Sequence, residues 1–197
     1  MGLTVEQKFS SMMVTLLEYL ELNPEDPNFL DTPARWEKMM RELFLPISKQ
    51  KEELDKIFSK SFPSQYEGIV AEGPIKCWSM CPHHFVTVQY VVWTAYMPEK
   101  EGSAIGISKL ARCADILART LILQEDYTKN IADTLYKRLG AAGVGVLVEG
   151  RHMCISSRGA KQDDAWTLTS EVRGVFREKE SIKKEWMDMI QQTRSRM

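Results

Sequence analysis

Histidine is scarce in this chain. There are three in 197 residues, and all of them fall in two short stretches, "CPHH" at 81–84 and "HMC" at 152–154. Cysteine is sparse too, at four, and no two cysteines form a Cys-x-x-Cys pair. No apolar run approaches the roughly 18 residues that cross a bilayer, which excludes a membrane-spanning helix. The N-terminus "MGLTVEQKFSSMM" has neither the basic region and apolar core of a secretory signal nor the serine or threonine at position 6 that myristoylation requires. A cytoplasmic location with reduced thiols is therefore expected. Cys77, Cys81, Cys113 and Cys154 then read as ligands or buried thiols rather than a disulfide framework. Neither sign of charge dominates, with 26 Lys and Arg against 27 Asp and Glu, so no nucleic acid or membrane surface is expected as a partner. An anionic ligand would have to be held by a local basic cluster. Internal repeats, low-complexity tracts and linkers are also absent, so the chain reads as one folded unit with a helical arm.

What is present is a mixed α+β pattern. Val5, Phe9, Met12, Met13, Leu16 and Leu20 recur at helical spacing. Thr32 before Pro33 predicts a helix start with threonine as the cap, its apolar face formed by Trp36, Met39, Met40 and Leu43, closed by Pro46. A short helical piece is expected over 51–60. From Gly68 the texture becomes β-rich, through "EGIVAEG", "IKCWSM" and the long "HFVTVQYVVWTAYM". A helix begins at Ser108 and resumes at Tyr127 until Gly140 stops it, with Gln124 and Glu125 in the break. "GVGVLVEGRHMCISS" and "WTLTSEVRGVF" read as strands, and Ile182, Trp186 and Ile190 as a closing helix. This order predicts a mainly antiparallel sheet with helices.

Cysteine thiolate and neutral imidazole are ligands that zinc prefers. Cys81 and His84 have the spacing of a chelating turn. If 143–157 is extended, His152 and Cys154, two apart, look into one pocket. His83 and His84, being adjacent, would point apart on extended backbone, leaving one as ligand and the other free. Cys81, His84 and Cys154 make the three ligands of an open, catalytic zinc site; Cys77 would close it as a fourth only if a sharp turn brought it back. Buried cysteines and core histidines with no metal are the plain alternative. A nucleobase-deaminase site is excluded, because His-x-Glu and Pro-Cys-x-x-Cys are both missing.

"IGISKLAR" places Ser108, Lys109 and Arg112 at the mouth of a helix, where free N–H groups and the dipole favour an anion; a capped helix with a solvated charged face is the alternative. Arg151, Arg158 and Lys161 surround "HMC" with no acid between 150 and 162. In "LQEDY", Gln124 and Glu125 could read the donor and acceptor edge of a guanine-like ring, although spacing alone reads them as surface.

Taken together, "DTPARWEKMMRELF", "CPHHFVTV", "IGISKLAR", "LQED" and "GVGVLVEGRHMCISSRG", in this order and spacing, resemble GTP cyclohydrolase I. The resemblance implies a tunnelling fold (T-fold), with residues 1–66 as the N-terminal helical arm and 67–197 as the catalytic domain. Strands of several subunits would form a barrel with helices outside, in a homodecamer with active sites between subunits. It also implies Zn2+ held by Cys81, His84 and Cys154, with the zinc-bound water attacking C8 of GTP and His152 protonating N7. Formate loss, rearrangement and ring closure would then give 7,8-dihydroneopterin triphosphate, a first step shared by folate, biopterin and deazapurine routes. By the same resemblance His83 is a second acid/base, Ser108 contacts the ribose or triphosphate region, Gln124 and Glu125 hold the purine, and Lys109, Arg112 and Arg158 hold the triphosphate, joined by Arg35 of a neighbouring subunit. The chain departs from the family pattern at Pro82, where a glutamate is usual, and at Asp126, where an arginine is usual. Two competing readings are a T-fold protein that binds a purine or pterin without ring opening, and a zinc-stabilised assembly protein.

Overall fold

A computed structural model describes residues 2–100 and 102–196. The chain divides into two compact units, Met1–Leu45 and Pro46–Met197.

The first unit is a helix pair, α1 (Val5–Tyr19) and α2 (Thr32–Leu43). A reciprocal capping box starts α1: Gln7 N–H donates to Thr4 Oγ1 (3.2 Å) and Thr4 N–H to Gln7 Oε1 (2.9 Å). The threonine cap expected for α2 is corrected. Thr32 is already helical, Asp31 is the cap residue without a side-chain bond, and Pro33 stands in the first turn. The helices join through Phe9 edge-on to Trp36 (5.3 Å) and through Arg41, which reaches Glu6 (2.5 Å) and Glu37 (2.9 Å).

The second unit begins with Pro46, which precedes α3 (Ile47–Ile57) instead of closing α2. A small antiparallel pair, β1 (Phe62–Pro63) with β4 (Ser103–Ala104), lies apart from the main sheet. That sheet has the order β2 (Val70–Met80), β3 (Thr87–Met97), β5 (Gly143–His152) and β6 (Thr167–Gly174), antiparallel throughout. The two β-rich runs at 68–80 are one strand, broken by a bulge between Glu72 and Ile75.

Alternation along β3 explains the layering. Val88, Tyr90, Val92, Thr94 and Tyr96, all essentially inaccessible, face α4 (Ser108–Ala118) and α5 (Gln124–Leu139). Trp93 and Ala95 point the other way, into a core with Leu147, Phe176, Trp186 and Ile190, supplied by β5, α7 (Val175–Glu178) and α8 (Glu180–Arg194). Both faces of the central strands are covered, which is why they read as nearly continuous apolar runs. Gly145 lies beneath Trp186; a Cβ there would stand 2.9 Å from its ring. Trp93 Nε1 donates to Glu149 Oε1 (2.9 Å), and Arg194 binds the same carboxylate while lying over the Trp93 ring (5.4 Å). Gly140, at φ +53°, ends α5 as its spacing predicts. No helix of the described residues is long and apolar enough to cross a membrane.

Candidate metal centre and active-site cleft

The chain turns sharply as it leaves β2. Cys81 N–H donates to the Val86 carbonyl (2.9 Å), and Phe85 N–H, at φ +52°, donates back to the Cys81 carbonyl (3.0 Å). Pro82 is the first residue inside this turn, where its fixed φ suits the bend. Backbone at the two histidines is therefore coiled rather than extended. His84 swings back until Nδ1 is 3.6 Å from Cys81 Sγ, while His83 lines the neighbouring cleft.

β5 supplies the other half. It ends at His152, directly opposite Val88 on β3, and a single helical turn follows, α6 (Met153–Ser156). The expectation of one continuous strand over 143–157 is thus corrected. Cys154 reaches the cleft from a helical turn, and not by sharing a strand face with His152.

The ligand atoms of Cys81, His84 and Cys154 all lie within 4.8 Å of one another. Thiolate and imidazole ligands on a tetrahedral zinc stand about 3.6 Å apart, which matches the Cys81–His84 separation. Burial raises the pKa of the Cys154 thiol, and the neighbouring Cys81 thiol adds to this, with Arg158 acting against. A divalent cation would displace those protons. Two thiols with an imidazole suit zinc. Cys77 does not join them: it is 1% exposed on β2, and burial pushes its thiol pKa up to about 11.

Beside the trio is a cleft of about 210 Å³, walled by Cys81, His83, Gln124, Glu125, His152 and Cys154 among others. Gln124 and Glu125 do not sit in a break between helices, as expected, but form the first turn of α5. The Glu125 side chain is exposed, whereas that of Gln124 is buried at 2% and bonded to the Val148 and Thr167 carbonyls, to Thr169 and to His152. Burial lowers the pKa of His152, with Glu125 acting the other way.

The other expected residues are placed elsewhere. Ser108, Lys109 and Arg112 line a separate cavity of about 680 Å³, together with Lys56, Lys60 and Asp115, and the two cavities share no lining residue. Lys109 Nζ donates to the Lys60 carbonyl. Arg158 is exposed beyond α6, near enough to Cys154 to act on its thiol. Arg151 is taken by Asp163 (2.5 Å), and Arg35, in the first unit, by Asp31 (3.1 Å). Sequence reasoning missed Tyr90, Gly150 and Thr169, which shape the floor beneath His152 and Gln124. A glycine inside a strand marks close approach of another group, and that signal was available at Gly150.

A model of the family described as GTP cyclohydrolase I matches residues 9–191. The chain belongs to the GTP cyclohydrolase I family. It is 36% identical over 185 residues to GTP cyclohydrolase 1 of Thermoanaerobacter pseudethanolicus, covering 94% of this chain and 96% of that one. With GTP cyclohydrolase 1 of Desulforamulus reducens it shares 40% over 174 residues, covering 87% and 91%. Among solved structures, the archaeosine synthase QueF-Like in the apo form is similar at a TM-score of 0.44 and 16% identity, over 54% of this chain and 94% of that chain. Of the two departures from the GTP cyclohydrolase I pattern, Pro82 fits the turn it occupies, and Asp126 adds a second acid to the first turn of α5.

Proposed function

We propose that this chain is a zinc-dependent GTP cyclohydrolase I, acting in the cytoplasm as a homo-oligomer of ten subunits, with GTP opened at C8, formate released and 7,8-dihydroneopterin triphosphate formed. The observation that carries this reading is the three-ligand group Cys81, His84 and Cys154, set beside His152, His83 and Glu125 in one cleft of a chain of this family. When bound by those three residues, zinc supplies a Lewis acid and lowers the pKa of water at its open position to about 7. His152 holds and delivers the proton at N7 of the purine, and His83 is the second acid/base at the cleft mouth. Glu125 accepts hydrogen bonds from the guanine edge at the purine end.

Cations meet the triphosphate. Arg158 stands on the metal side, and Ser108, Lys109 and Arg112 form a basic wall that one chain holds in a different cavity. The active site is thus composite: the metal half comes from one subunit, the basic wall from another, and Arg35 from a neighbour. The sheet supports such assembly. Among the described residues β2 and β6 each have one edge paired with no strand, and they carry exposed Trp78 and Leu168. The tunnelling barrel would close edge to edge between copies, with 67–197 as the catalytic domain and 1–66 as its arm.

The test is incubation of the zinc-loaded protein with GTP, reading formate and a pterin that fluoresces after oxidation. Absence of both products at full zinc occupancy overturns the reading. Light scattering gives the subunit number.

A further inference from the structure

We infer that Gln124 is a positioning residue for His152 and not a reader of the purine; this rests on the catalytic reading of the cleft given above. Gln124 Nε2 faces the Val148 carbonyl (3.1 Å), the Thr167 carbonyl (2.9 Å) and Thr169 Oγ1 (3.1 Å). Carbonyl oxygens only accept, so the nitrogen end of the carboxamide must be the end that faces them. Both of its hydrogens are spent there. The oxygen end is thereby fixed toward His152, where Oε1 stands 2.7 Å from Nε2. An amide oxygen also only accepts, so the hydrogen in this contact belongs to His152 Nε2. In the neutral ring Nδ1 is then the bare nitrogen, and the one left to exchange a proton with a substrate.

The surroundings are built around this contact. A Cβ at Gly150 would overlap Gln124 Oε1 and come within 2.9 Å of His152 Nε2, so the carboxamide lies against β5 only because residue 150 has no side chain. Tyr90, fully buried, meets the His152 ring edge-on (6.1 Å, 76°) and is itself stacked on Tyr127 (4.7 Å). Thr128 Oγ1 donates to the Gln124 carbonyl (2.8 Å) and lies 2.5 Å from Thr169 Oγ1, tying down the far side. Reading a guanine oxygen would need an unspent N–H on Gln124, and its amide oxygen is already turned to His152, whereas the neighbouring Glu125 is exposed and offers its carboxylate to the N–H groups of the ring.

The experiment compares zinc-loaded wild type, Gln124→Met, His152→Ala and the double variant on GTP and on inosine triphosphate, which lacks the 2-amino group. Gln124→Met should lower kcat about 100-fold, with KM for GTP within about twofold and the GTP-to-inosine preference unchanged. In the His152→Ala background the same substitution should change kcat by less than about twofold, because it acts through the missing ring. A KM raised about tenfold or more at unchanged kcat, a lost base preference, or additive effects would overturn the proposal. A wild type that turns over no GTP overturns the catalytic reading instead. In that case a crystal structure of Gln124→Met decides this inference, since the His152 ring should leave its wild-type orientation, and an unmoved ring refutes it. Should Gln124→Met not fold, Thr169→Val removes one of the three acceptors and should show the same kcat-only signature, several-fold in size; an altered KM with unchanged kcat would count against the proposal.

Discussion

Val88 stands directly opposite His152 in the β3–β5 ladder. That one register brings the turn after β2, with Cys81 and His84, against the turn after β5, with Cys154. Shifting β5 by one residue would turn His152 to the other face of the sheet and separate the ligands. The candidate metal centre is therefore a product of sheet register and of two coiled chain ends.

The roles of neighbouring residues should separate cleanly. Cys154→Ser is expected to weaken zinc binding at least about 100-fold, because it removes a ligand. His152→Ala should keep its zinc while kcat falls about 100-fold to 10,000-fold. Zinc content after dialysis against a weak chelator, read alongside GTP turnover, checks both. Zinc lost from the His152 variant would mean that the ligand set is different.

The two separate cavities predict complementation. His152→Ala and Arg112→Ala are each expected to be inactive alone. Refolded together in equal amounts they should recover about a quarter of wild-type turnover, since half the metal sides and half the basic walls are intact and pair at random. No recovery from a mixed oligomer would place both residues in the same subunit's site.

Much of this was legible in the sequence. The helical stripe of α1, the Gly140 stop, the long alternation of β3 and the two clusters of metal ligands all follow from local periodicity or residue chemistry. Less legible were the places where tertiary contacts override the local pattern. Met153–Ser156 coils although it continues an apolar strand run, and Gln124 and Glu125 start a helix because α5 extends one turn further toward the sheet. Nor can spacing along one chain reveal that Lys109 and Arg112 stand in a cavity apart from the ligands.

Glu72 gives a pH-dependent prediction. Burial raises its carboxyl pKa, only partly offset by the Ala111 N–H, and Oε2 has no hydrogen-bond partner. With the folded pKa above the unfolded one, the folded state binds more protons between the two values, so stability is lost as pH rises through the folded pKa. Glu72→Gln should therefore raise stability at pH 7 by about 1 kcal/mol, or about 2–4 °C in Tm. Thermal melts from pH 4 to 8 should show the gain shrinking toward zero at the acid end. A constant gain would mean that the charge is not its cause.

Gly145→Ala probes the core on the opposite face of the sheet. A methyl 2.9 Å from the Trp186 ring and 3.1 Å from Phe176 has no flexible neighbour to displace. A loss of about 1–3 kcal/mol is expected from overpacking, seen as a lower denaturation midpoint at unchanged zinc content. A variant as stable as the wild type would show that α8 can lift without cost.

The span between the two halves of the metal site also sets an order on synthesis. Cys81 and His84 leave the ribosome long before Cys154, with two strands' worth of ladder and the α4–α5 pair still to come between them. A nascent chain stopped short of residue 154 holds a two-ligand fragment, and only when β5 has docked on β3 does the third ligand arrive. Binding of an ion by all three residues would therefore report that the sheet has been assembled in register.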